Sequence, residues 1–284
     1  MKTQSGHPVT IHWKTIIVYG GFIILFLSVM VPVYWMVRSS LATPRDLITL
    51  PLIHFPSPTL RSFETLFTQV PLLQYIRNSL VFAISTALVS LLVSFLAGYA
   101  FARTNFRGSS IILWVLMLSM ALPEVGTIVP LYQILRTFGL LDTIAGLTLV
   151  LSSTLTPFTV WVLISFIKQV PYEVEEAAII DGASLFRIFW HILLPVTLPG
   201  LVTMGLINFI NAWNNLLFPL AFTTSPTSKT LSVSITEVFA GFSPFGRPWE
   251  LIMAVGVVMT VPIVILVFLA QKSIIRGLTA GAIK

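Results

Sequence analysis

Six stretches of this sequence stay apolar for long enough to cross a lipid bilayer, and no other feature restricts the fold as much. A membrane-spanning helix needs roughly 20 apolar residues to traverse the hydrocarbon core. Residues 16–37 supply 22 without a charge. Comparable runs follow at 79–102, 109–135, 143–167, 196–221 and 251–271. The first run exceeds the apolar core of a secretory signal, about 7–15 residues, and no small-residue cleavage site follows it, so it reads as an uncleaved helix. The expected fold is an all-α membrane protein with six transmembrane helices over residues 16–271. Polar tails flank it at 1–15 and 272–284.

Composition removes the competing classes. Hydrophobic residues make up 56% of the chain and charged residues 9%, against about 25% charge in a soluble domain. The net charge is +6, but no basic run or basic-aromatic patch points to nucleic acid, and the positive residues lie between apolar spans. There are no cysteines, which excludes disulfides and thiol chemistry, and the four histidines (His7, His12, His54, His191) lack ligand spacing. No metal site or catalytic constellation is expected. With both termini inside, nine of the 16 Lys and Arg fall on the inner side, in shorter segments than the rest. Density therefore favours that orientation.

Between the spans, residues 38–77 form a polar interval broken by Pro44, Pro51, Pro56, Pro58 and Pro71, with an amphipathic helix expected near 60–68. Residues 222–250 form a second sizeable loop. Glu124 is the one acid inside an apolar run, and such a group is a functional candidate by default. Its neighbours Pro123 and Pro130 favour a plainer role, a group at a helix end.

The polar exception to this pattern is residues 171–195, PYEVEEAAIIDGASLFRIFWHILLP. Pro171 and the acids after it suit a helix N-terminus. Asp181-Gly182 gives a turn, with Gly182 free to adopt φ > 0, and Ser184 is placed to cap a second helix that Pro195 is expected to stop. The result is a helix-turn-helix between spans four and five. Without chemistry of its own, it has a mechanical or adhesive role. It could lie in the membrane interface, but Glu173, Glu175 and Glu176 would be repelled by an anionic leaflet, which favours docking to a protein.

The order Glu176-Ala177-Ala178, then Gly182, Ile192 and Leu194-Pro195 resembles the EAA loop of permease subunits of bacterial ABC importers. The resemblance extends through nearly the whole chain and narrows to the carbohydrate importers of the maltose-permease type. They are also resembled by Asn78-Ser79, Tyr99-Ala-Phe-Ala-Arg103, Phe106-Arg-Gly108, Pro123 with Pro130, Trp213-Asn214 with Pro219, and Arg276-Gly-Leu-Thr-Ala-Gly281. The resemblance implies a permease of the bacterial inner membrane that forms half of a pathway with a second permease, usually a different chain in this family. Two ATPase subunits would dock beneath, and an extracytoplasmic sugar-binding protein would deliver solute. Glu175, Glu176, Ala177, Ala178, Asp181, Gly182 and Ala183 would form the ATPase-coupling element. The chain has no G-x-x-x-x-G-K-[ST] loop, so ATP and Mg would be bound by the partner ATPases and no cofactor by this chain.

A solute pathway needs polar groups facing a cavity. In span five, Asn208, Asn211 and Asn215 recur at i, i+3 and i+7, beside Trp213 and Asn214. Amides can bind sugar hydroxyls and an indole can stack on a pyranose face. The same asparagines could instead join helices. The alternative function, an ion-coupled secondary transporter, would want ionisable groups within the spans, and only Glu124 is one.

Overall fold

The computed structural model describes residues 13–50, 54–240 and 246–280, and these are almost wholly helical. In chain order the helices are α1 (Trp13–Ser40), α2 (Pro44–Ile48), α3 (Arg61–Gln69), α4 (Leu72–Arg103), α5 (Ser109–Ser119), α6 (Glu124–Thr137) and α7 (Ile144–Ile167). They continue as α8 (Tyr172–Ile180), α9 (Leu185–Ile188), a π turn (Phe189–Leu193), α10 (Leu194–Asn214), α11 (Leu217–Phe222), α12 (Leu231–Ala240) and α13 (Trp249–Ala280). We call the end of the bundle bearing α8 the inner end and the opposite end, where α2, α3 and α12 lie, the outer end.

The core is a three-helix packing of α4, α7 and α10, because these carry small and hydroxyl residues on the faces that meet. Gly200 of α10 is needed for the approach to α7: a Cβ there would stand 2.6 Å from the Phe166 ring. Two apolar clusters fill the core. One, around Phe82, Leu151 and Trp213, lies toward the outer end, and the other, around Phe95, Leu163, Ile188 and Leu193, lies against the hairpin. By contrast α1 packs chiefly on α13 and leaves Ile17, Phe22, Ile24 and Leu25 exposed. A helix apolar all round and uncovered by its own chain is suited to lipid or to another subunit.

Five helices are long and apolar enough to span a membrane, and six if α5 and α6 are one broken span. The third span was expected as one helix over 109–135. It is instead bent by 105° between α5 and α6. Pro123 has no N–H to continue the α5 ladder and stands in extended conformation as the N-cap of α6. Pro130 sits inside α6 without ending it. Glu124 is then the first residue of α6, where the positive end of the helix favours a carboxylate.

A second correction concerns Pro195, which does not stop the hairpin's second helix. The preceding turn widens, so that the Leu194 N–H donates to the carbonyl of Phe189, five residues back, and the helix absorbs the proline. Leu185 to Asn214 is therefore one span-length rod. Other boundaries also move. The fifth span ends at Asn214, not 221, with α11 beyond it, and α12 gives the 222–250 loop a helix. α3 falls where the amphipathic helix was expected, and α13 runs on to Ala280, through most of the expected tail. Residues 1–12 of the other tail, and Gly281, lie outside the described residues.

Candidate coupling site and translocation face

The turn after α8 follows from Gly182. Its φ of +78° is a left-handed conformation that a side chain would strain. The Gly182 N–H donates to the Ile179 carbonyl at 3.0 Å and the Ala183 N–H to the Ala178 carbonyl at 2.9 Å. This is the Schellman pattern that closes a helix. Ser184 then caps α9, accepting from the Arg187 N–H at 3.4 Å. Nothing lies within 4 Å of a Cβ built on Gly182, so the turn projects into open space.

The hairpin presents a mixed exposed surface. Glu176, Ala177, Asp181 and Gly182 are exposed, beside the apolar Ile180 (85% exposed) and Phe186 (76%). Ala178 and Ala183 are half-buried and pack on the inner apolar cluster. Uncovered large apolar side chains of this kind, rimmed by acids, mark a contact surface.

Glu175 differs from the other residues expected to meet a partner. It is 1% exposed and turned inward, where its Oε1 accepts from Arg103 Nε at 2.7 Å. The Arg103 Nη2 donates to the carbonyls of Ile167 at 3.0 Å and Val170 at 2.7 Å. The Tyr99 hydroxyl lies 3.5 Å from the other carboxylate oxygen, and the guanidinium stands 5.8 Å from the Tyr172 ring centre. One side chain thus joins the end of α4, the end of α7 and the start of α8. Sequence reasoning did not assign Arg103 this role. The available signal was a lone arginine ending an apolar span, together with Glu175 sharing a helix face with Ala178 at i+3.

The polar residues of span five divide into two groups. Asn208 is 1% exposed; its amide donates to Ser90 at 3.1 Å and Thr159 at 3.1 Å, tying α10 to α4 and α7. Trp213 is buried, stacked on Phe209, with its indole N–H on the Met259 carbonyl at 3.0 Å. Asn215 accepts from the Phe218 N–H at the start of α11. In this structure Asn208 and Trp213 are thus engaged in helix packing, and the part-buried Asn215 caps α11. Asn211 and Asn214 remain exposed, at i and i+3 on one face of α10.

At the outer end, Asp142 stands in the turn before α7. It accepts from the backbone N–H groups of Thr224 at 2.8 Å and Ser225 at 3.1 Å, and from the Ser228 hydroxyl. Burial alone would raise its pKa, but these hydrogen bonds outweigh burial and hold the carboxyl well below its ordinary range. Nearby, a cavity of about 830 Å³ opens between α2, α3, α12 and the start of α13, with Arg45, Arg61, Glu237 and Glu250 in its wall. Among the described residues no group of His, Cys, Asp and Glu could hold a metal.

This arrangement, a broken-span helical bundle with an exposed hairpin between its fourth and fifth spans, has close relatives. Residues 90–280 match the family described as binding-protein-dependent transport system inner membrane component. The chain belongs to that family. It is similar to the sulfoquinovosyl glycerol transport system permease protein of Agrobacterium fabrum, 34% identical over 262 residues, 92% of this chain and 91% of the relative. It is equally similar to the trehalose/maltose transport system permease protein of Thermococcus litoralis, 34% identical over 276 residues, 95% of this chain and 97% of the relative. Among solved structures, a bacterial ABC transporter involved in import of the acidic polysaccharide alginate has a chain of similar fold. The TM-score is 0.80 at 17% identity, over 94% of this chain and 99% of that one. The chain is thus a multi-pass ABC importer permease of the inner membrane, and the matched region contains the whole hairpin. An ion-coupled secondary transporter is not favoured.

Proposed function

We propose that this permease forms half of the pathway of a sugar importer, with a second permease as the other half. The relatives named for sugar transport support the solute class. Both termini and the hairpin lie on the cytoplasmic side. Two separate ATPase subunits bind ATP and Mg and hydrolyse the nucleotide, while this chain is non-catalytic; an extracytoplasmic binding protein delivers the solute. Glu176, Ala177, Asp181 and Gly182, with Ile180 and Phe186 beside them, meet an ATPase subunit. Asn211 and Asn214 face the solute pathway. The observation that carries this reading is the projecting hairpin, capped by Gly182 at positive φ and flanked by uncovered apolar side chains.

The test is Gly182→Val in the assembled importer. Valine at φ +78° costs on the order of 1–3 kcal/mol and distorts the exposed turn, yet meets nothing within its own chain. Membrane insertion should persist while uptake and co-purification of the ATPase fall sharply. Normal uptake by this variant would sink the docking role.

A further inference from the structure

We infer that Arg103 is the positioning residue through which movement of α8 reaches the spans: it clamps α8 to the inner ends of α4 and α7 so that the three move as one body. This rests on the proposed docking of α8 to an ATPase. It adds where the displacement goes once that docking has occurred.

The geometry requires such an element. The chain links α8 to α7 through residues 168–171 and to α10 through the Gly182 turn. Neither backbone link reaches α4, which packs along α7 and α10 as the centre of the bundle. Arg103 makes that connection. Its Nε donates to Glu175 at 2.7 Å, and its Nη2 bridges the carbonyl of Ile167, the last residue of α7, which also accepts from the Val170 N–H, and the carbonyl of Val170 in the link to α8. The planar guanidinium fixes both directions at once, which a lysine ammonium on a flexible stem cannot do. The pair is buried, with side-chain exposures of 8% and 2%, so water competes little for either bond in this structure. Aromatic packing seals the same joint: the Tyr99 ring of α4 lies tilted 4.5 Å from Phe189 in the π turn, and Phe95 meets the same ring edge-on at 5.3 Å.

The assignment turns Glu175 from a partner contact into the inner half of the coupling device. Of the two adjacent acids, Glu176 points out to a partner and Glu175 points in to Arg103. A push on the exposed face of α8 is thereby received by α4 and α7 without slip.

The experiment uses the whole importer, with Glu175→Gln, Arg103→Lys and the double variant Arg103→Gln/Glu175→Gln. The double variant leaves no lone buried charge, so assembly should survive even if a single variant fails to fold. Assembly is read by co-purified ATPase, and coupling by the ratio of solute-stimulated to basal ATPase rate, with uptake measured per assembled complex. The expected result is assembly near the unsubstituted level with the stimulation ratio and uptake per complex reduced about fivefold or more, the size of a typical coupling term. A purely structural role would lower the number of complexes and leave each survivor working normally, and that outcome overturns the proposal. If the unsubstituted chain brings down no ATPase at all, it is the docking reading that fails.

Discussion

At the inner end of the α4–α7 pair, one side chain does the joining: Arg103 holds Glu175 and two carbonyls, across 64 to 72 residues of sequence. At the outer end the joining is divided among several modest bonds. Asn78 donates to the carbonyls of Pro226 at 3.0 Å and Lys229 at 2.8 Å, Ser79 accepts from the Leu231 N–H at 2.7 Å, and Asp142 gathers the donors of residues 224–228. The inner joint is a buried ion pair, strong only while both partners are present, and the outer one is a loop stitched to helix ends chiefly by neutral or singly charged bonds, beside the more exposed Lys229–Glu237 pair. A part that must relay displacement is served by a single stiff link, whereas a part that holds a loop in place can be redundant.

The contrast is tested hardest by Arg103→Ala. It leaves Glu175 charged and buried with no cation, and removes the donors to Ile167 and Val170. Breaking a buried pair from one side costs about 3–5 kcal/mol, which for a chain of this size lowers the melting temperature by about 10 °C. Thermal unfolding in detergent measures it. A drop of only a degree or two would mean that the inner joint is as redundant as the outer.

Next in size is Asp142→Asn, expected to cost about 1–2 kcal/mol, since it weakens three bonds that favour the charged form. The pH dependence has a definite sign. The folded carboxyl titrates below the unfolded value of about 3.9, so its stabilisation is complete above that pH and is lost as pH falls through the folded value. The difference between the two proteins should therefore be constant from pH 8 to 5 and shrink below about pH 4. A difference that instead grew on acidification would contradict the hydrogen-bond geometry at Asp142. Smaller again is Asn78→Ala, about 1 kcal/mol for two bonds to loop carbonyls, because Ser79 and Asp142 still hold the same loop. Hydrogen exchange at residues 224–230 would register that local loosening.

The difference between the ends also explains what could be read from the sequence. Span number, the hairpin and its Gly182 turn were legible because they rest on local rules: run length, capping residues and φ > 0 at glycine. The EAA spacing is likewise local. The Arg103–Glu175 joint was not, because a period-3.6 reading of one short helix ranks three neighbouring acids alike and cannot say which faces inward until α4 is beside it. The packing of Asn208 was hidden in the same way. Its i, i+3, i+7 stripe with Asn211 and Asn215 is real, yet Ser90 and Thr159 reach it from two other helices. Pro195 was misread for a different reason, as one wide turn, invisible in sequence, lets a proline pass inside a helix.

The smallest expected effect belongs to Lys229→Met. The Lys229–Glu237 pair, at 2.5 Å, is shorter than the inner pair, but its side chains are 21% and 34% exposed, against 8% and 2% for the inner pair. Water and salt screen such a pair to about 0–1 kcal/mol. Glu237 also keeps the Tyr75 hydroxyl at 3.1 Å, and the backbone carbonyl of Lys229 still accepts from Asn78 in the variant. Melting should shift by at most about 2 °C, and less in high salt, where the unsubstituted pair is already weakened. A loss comparable to that of Arg103→Ala, insensitive to salt, would mean that the outer end too depends on one ion pair. The separation between a concentrated inner joint and a distributed outer one would then have to be given up.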